Sequence, residues 1–187
     1  MKINASALRQ GNVIEIDSKL YVILVAENNQ PGKGVPVTRI EMRGVENGIK
    51  VGTRFRTTEQ VELCYIEDAE YQYLYKDSEA FVFMNQVTFD QVTVPNTVVG
   101  EQEIYLQDSM VVTVKLYEGK VIAVILPAKV VLEVLETEPV IKGQTATSSY
   151  KPAILSNNVR TGVPGHIAVG TMIVVDTATG SYVERAK

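Results

Sequence analysis

A chain of 187 residues, 45% apolar and 21% charged with a formal net charge of −4, has the composition of a core-forming protein and not of a disordered one. One cysteine, Cys64, and one histidine, His166, exclude an intrachain disulfide, a cysteine-based zinc cluster and a paired-histidine metal motif, and leave a serine triad one candidate base. No apolar run approaches the ~20 residues that span a bilayer, and the N-terminus lacks the apolar stretch of a secretory signal, so a cytoplasmic chain without a membrane partner is expected.

Val, Ile and Thr together number 58 against 12 Ala, a bias toward half-buried strands. In the first third, five β segments are predicted at Asn12–Ile16, Leu20–Ala26, Val35–Met42, Lys50–Phe55 and Gln60–Ile66, with Gly, Asn and Asp between them, as in a small barrel. Glu70–Lys76 and Glu79–Met84 then read as a hairpin over Asp77-Ser78, and Ser109–Tyr117 and Lys120–Leu126 as another over Glu118-Gly119. A short helix is expected between Val98 and Leu106. After Pro127, strands are expected at Lys129–Glu138, Ala153–Leu155, Asn158–Thr161, Thr171–Asp176 and Ser181–Arg185. Charge follows the same thirds. Residues 1–65 carry a net +2, 66–127 a net −7 and 128–187 a net +1, which points to three all-β modules with those bounds. Tyr71, Tyr73 and Tyr75 are expected to pack on one strand face, Cys64 to be a core thiol, and His166 to be structural.

No phosphate-binding loop is present, since Gly32-Lys33 is followed by Gly34, and no carboxylate spacing argues for hydrolysis. The segment that breaks the β pattern is Glu27–Gly34. Pro31 sets φ for the first central turn position, Gly32 is expected to take the positive φ of the second, and Gly34 leaves the backbone after Lys33 unencumbered. The result is a thin tip carrying one amine, a target for covalent elaboration. A biotinyl or lipoyl carrier also displays a hairpin lysine, but as one module of about 80 residues, usually with Met or Asp beside the lysine.

Pro31-Gly-Lys-Gly34 followed by two further β modules resembles the elongation factor P family of bacterial translation. Lys151-Pro-Ala-Ile-Leu155, Val163-Pro164, Gly170, Val174-Val-Asp-Thr177 and Gly180-Ser-Tyr-Val-Glu-Arg185 look like its C-terminal signature. Ala7-Leu-Arg-Gln-Gly-Asn12, Tyr73-Leu-Tyr-Lys76 and Phe83-Met-Asn85 resemble further family segments, so that the likeness covers the whole chain. It implies an SH3-like (KOW-type) barrel followed by two OB-folds in an L-shaped, tRNA-like arrangement, acting as a monomer and without a cofactor. The implied activity is non-enzymatic. By that resemblance the chain would bind the 70S ribosome between the peptidyl-tRNA and exit sites, stimulate peptide-bond formation and relieve stalling at consecutive prolines; a paralogue acting on other stalling sequences is the alternative. Lys33 would reach the CCA end of the peptidyl-tRNA, lengthened in many members by a modifying enzyme, often through β-lysylation.

A chain with a pI of 5.1 is a poor free-standing RNA binder, so contacts to ribosomal RNA are expected from local patches such as Arg39, Arg43, Arg54 and Arg56. Many family members carry Gly-Asp in the loop opening the last module's RNA-facing surface; this chain has Gly143-Gln144-Thr145 there, a candidate RNA contact. Tyr182 and Arg185, in the final strand of the signature, are expected to face the small subunit and the peptidyl-tRNA. Pro36, close after the tip, departs from the family pattern where a modifying enzyme would grip.

Overall fold

A computed structural model describes residues 1–140 and 149–187. The chain forms two compact units, residues 1–100 with 113–125, and residues 101–112 with 126–187. Nearly all regular structure is β, in three antiparallel sheets. The first contains β1 (Lys2–Asn4), β2 (Val13–Ile16), β3 (Lys19–Asn29), β4 (Val37–Gly44), β5 (Lys50–Arg56) and β6 (Gln60–Cys64) in the order β1-β6-β2-β3-β4-β5. The second contains β7 (Glu67–Lys76), β8 (Ala80–Asn85), β9 (Gln91–Pro95), β10 (Val111–Tyr117) and β11 (Lys120–Ile125) in the order β11-β10-β7-β8-β9. The third contains β12 (Lys129–Thr137), β13 (Lys151–Leu155), β14 (Arg160–Val163), β15 (Met172–Asp176) and β16 (Tyr182–Arg185) in the order β14-β13-β12-β15-β16. No helix among the described residues is long and apolar enough to cross a membrane.

Alternation along the strands decides which face is buried. In β4, Thr38, Ile40, Met42 and Gly44 point inward while Arg39, Glu41 and Arg43 stay exposed, the period of two that a pleated strand imposes. Ile40 and Met42 join Ala5, Leu8, Ile14, Ile23 and Val61 in the first core. A second cluster, Val13, Cys64 and Ile122 with Leu20, Val22, Val45, Ile66 and Tyr117 around it, joins the first two sheets. Tight turns match the twist of the strands: Glu118 and Gly119 both have positive φ, as do Asp17 and Ser18.

Several elements differ from the sequence reading. β1 is a sixth strand in the first sheet, recruited by pairing with β6 from Lys2↔Glu62 to Asn4↔Gln60. β9 is an added strand on the edge of the second sheet, where Pro95 costs no ladder bond. The expected helix is one α-turn, Asn96–Val99, continued as a 3₁₀ segment over Gly100–Tyr105. Tyr75 leaves the face shared by Tyr71 and Tyr73, because a bulge after Tyr73 sets Tyr73 opposite Phe83 but Tyr75 opposite Val82. Tyr71 is buried and Tyr73 packs on Phe81 and Phe83, whereas Tyr75 is exposed. His166, read as a packed or partly exposed structural residue, lies exposed on the connection after β14, which that reading allows.

Three measurements check this packing. Phe83 is fully buried, so Phe83→Ala should cost about 3–5 kcal/mol in urea unfolding. Burial raises the Cys64 thiol above its ordinary pKa, opposed by a hydrogen bond with Tyr117. Alkylation of the native chain at pH 8 should therefore be markedly slower than in urea. Stability should fall as pH rises through the ordinary thiol range, because the unfolded thiol ionises first.

Candidate nucleic-acid interface

β3 and β4 pair from Tyr21↔Gly44 to Asn29↔Val37, so the long hairpin narrows to a connection of residues 30–36. Its two arms are tied by one chain of hydrogen bonds. The Asn28 side-chain amide donates to the Ser6 carbonyl at 3.0 Å. The Ser6 N–H donates to the Thr57 carbonyl, and the Thr57 N–H to the Pro36 carbonyl, both at 3.2 Å. The buried Thr38 hydroxyl donates to Asn28 Oδ1 at 2.7 Å and fixes that side chain. Pro36 supplies the anchoring carbonyl on the second arm.

Beyond these anchors residues 30–35 are exposed, and Lys33 makes no hydrogen bond or ion pair among the described residues. The expected positive φ falls on Gly34, at +153°, and not on Gly32. A Cβ at Gly34 would lie 3.1 Å from Pro31 Cγ, whereas one at Gly32 would touch nothing within 4 Å. The Pro31 ring folding onto Gly34 closes the tip, and Gly34 is the position that demands glycine.

The four predicted arginines share the outer face of β4 and β5. Arg39 stands opposite Arg54, Glu41 opposite Gly52, Arg43 opposite Lys50 and Val37 opposite Arg56. The Gly44 N–H donates to the Ile49 carbonyl at 3.0 Å, which makes 44/49 a bonded pair. Counting back, the 43/50, 41/52 and 39/54 pairs fall at the non-bonded sites, where facing Cα atoms lie only about 4.5 Å apart. β5 is the last strand of its sheet, so the N–H and carbonyl groups of Lys50, Gly52 and Arg54 point off its free edge. Like charges directly opposite each other destabilise a sheet. One carboxylate, Glu41, relieves this pairing, bonding Arg39 at 3.0 Å. The cationic stripe from Arg56 to Lys50 covers about 20 Å, at ~3.4 Å per residue, and leads away from the Lys33 arm. Such a face suits a polyanion. Lys50 belongs to it although composition did not single it out; the hairpin register across Val45–Ile49 is the signal that finds it.

In the other unit, Tyr182 and Arg185 are three residues apart, yet a bulge places them opposite Val175 and Ile173 and hence on one face of β16. The Tyr182 ring packs against Tyr150, centroids 6.4 Å apart and tilted by 53°, so Tyr150 joins the predicted pair as an exposed aromatic. Lys151, buried, donates to the Glu138 carbonyl at 2.6 Å. Gly143, Gln144 and Thr145 lie outside the described residues. No group of three His, Cys, Asp or Glu side chains among the described residues could hold a metal ion.

The face predicts opposite effects on stability and binding. Arg54→Glu places a carboxylate opposite Arg39, so the fold should hold or gain about 0.2–1 kcal/mol. RNA affinity should drop, and the salt slope should flatten by about 0.7–0.9 for each phosphate that is no longer neutralised, as titration from 50 to 200 mM salt would show.

Three consecutive family descriptions match the chain. Elongation factor P (EF-P) KOW-like domain covers residues 4–61, Elongation factor P (EF-P) OB domain residues 66–124, and Elongation factor P, C-terminal residues 130–185. These fall on the three sheets in turn and give the all-β fold its KOW-like and OB modules. The chain is 58% identical to "Elongation factor P" of Methylobacterium sp. (strain 4-46) and 59% identical to that of Methylobacterium nodulans, over 100% of each chain. It is 58% identical to "Elongation factor P 2" of Mesorhizobium japonicum, over 100% of this chain and 99% of that one. A module-by-module match over the full length leaves no room for a single-module carrier domain, and the chain belongs to the elongation factor P family.

Proposed function

We propose that this chain is a cytoplasmic, monomeric translation elongation factor that binds the 70S ribosome between the peptidyl-tRNA and exit sites and speeds peptide-bond formation at consecutive prolines. The observation that carries the reading is the anchored hairpin: an unpaired, exposed Lys33 held beyond a fixed base, with a cationic stripe behind it. The stripe lies along ribosomal RNA, and Lys33 lies beside the CCA end of the peptidyl-tRNA. Tyr182, with Tyr150 beside it, and Arg185 form a separate contact to RNA of the peptidyl-tRNA and small subunit, and Gly143, Gln144 and Thr145, outside the described residues, are further candidates for contact with RNA.

The mechanism needs no acid–base chemistry. Proline has a fixed φ and a constrained ring nitrogen, so reactive alignment is rarely reached. Ordering the peptidyl-tRNA removes misaligned states. Each tenfold gain in rate requires about 1.4 kcal/mol, within reach of one or two hydrogen bonds to a charged group. The free Lys33 amine is also open to lengthening by a modifying enzyme, an amide forming at Nζ as an activated amino acid such as β-lysine loses its leaving group.

Synthesis through Pro-Pro-Pro on purified ribosomes tests this. Lys33→Ala should leave the thermal unfolding of the chain unchanged, because the tip buries almost nothing, and should abolish the acceleration. Lys33→Arg keeps the charge and blocks acylation, so it should fail nearly as badly. Wild-type acceleration by the Ala variant would overturn the assignment.

A further inference from the structure

The connection between β8 and β9, residues 86–90, combines a costly backbone with exposed apolar side chains. Phe89 has φ of +60° and is 69% exposed, and Val87 is 83% exposed. Left-handed backbone is rare for a bulky residue, and Asn or Gly would occupy the position with less strain. The segment is nevertheless fixed. Asn85 Oδ1 accepts the N–H groups of Val87 at 2.7 Å and Thr88 at 3.0 Å. The Asn85 carbonyl accepts the Phe89 N–H at 3.0 Å, and its own N–H donates to the Asp90 carbonyl at 2.8 Å. The Gln86 N–H donates to the Glu70 carbonyl at 3.0 Å. Strain is thus retained at a position where the side chain does little for the core.

The charge around this knob identifies its complement. Residues 66–127 carry ten acidic and three basic side chains. All three lysines are engaged within the chain. Lys115 pairs with Asp68 at 3.0 Å, Lys120 with Glu46 at 3.4 Å, and Lys76 lies 5.0 Å from the centre of the Phe81 ring. Exposed Glu70 and Asp90 stand beside the knob. Such a surface repels a phosphate backbone and attracts a basic polypeptide.

We infer that Val87 and Phe89 form a protein-docking knob that enters an apolar socket on a basic protein surface of the ribosome, an assignment resting on the ribosome reading above. Two experiments on the full chain and purified 70S ribosomes carrying peptidyl-tRNA test it. Phe89→Asn relieves the backbone and should unfold at or above the wild-type temperature, yet pellet with ribosomes at least about tenfold more weakly, a loss of ~1.4 kcal/mol; Phe89→Tyr should bind as wild type does. A benzophenone side chain at position 89 should crosslink on illumination to a ribosomal protein rich in Lys and Arg. A crosslink to RNA, no crosslink, or wild-type pelleting of Phe89→Asn would overturn the knob alone. Failure of the wild-type chain to pellet would overturn both readings.

Discussion

Everything proposed for Lys33 depends on one hydrogen-bonded chain, from Asn28 to Ser6, Ser6 to Thr57 and Thr57 to Pro36. A two-stranded arm projecting from a barrel frays readily, since an isolated hairpin is marginal in water. Here the arm is tied on one side to Ser6 and on the other to Thr57, themselves bonded to each other, close before the tip. The pairing of Asn29 with Val37 is thereby protected, and the freedom left to the amine is that of a short loop and one long side chain. A factor acting by position needs that combination, because ordering a substrate requires that its own contact group be placed before binding.

The second constraint is electrostatic. Arg39 against Arg54 and Arg43 against Lys50 are pairings that a sheet selected only for stability would avoid. They are tolerable when a polyanion neutralises them, and one member of each pair, Arg54 or Lys50, lies on the edge strand β5. The acidic second module has the opposite character. The chain's net charge of −4 is therefore a poor description of either surface: the first module presents a cationic stripe while the second is strongly acidic. On the proposed reading, separating the two would limit non-specific RNA binding while keeping a local patch for a preformed site.

Much of this is legible in the sequence because period-two alternation and turn residues are local signals. The strands of the hairpin, the Lys33 tip and the arginines of β4 and β5 can be read that way. The rest depends on partners distant in sequence. Lys2–Asn4 is too short to announce a strand until β6 lies beside it. β9 is hidden by Pro95, which reads as a stop unless the strand is known to be an edge. Bulges account for two further differences. One removes Tyr75 from the tyrosine face, and another brings Tyr182 and Arg185 together despite their odd spacing. The positive φ expected at Gly32 belongs to Gly34, because the need for it comes from the Pro31 ring folding back, which the order of residues does not reveal.

The most direct test of action by position is a density map of the chain on a ribosome halted between consecutive prolines. The hairpin should keep its Asn28–Ser6–Thr57–Pro36 anchor, with the Lys33 side chain within hydrogen-bonding reach of the sugar-phosphate at the CCA end of the peptidyl-tRNA. A bound chain whose Lys33 faces solvent, or whose hairpin lies away from the CCA end, would contradict it.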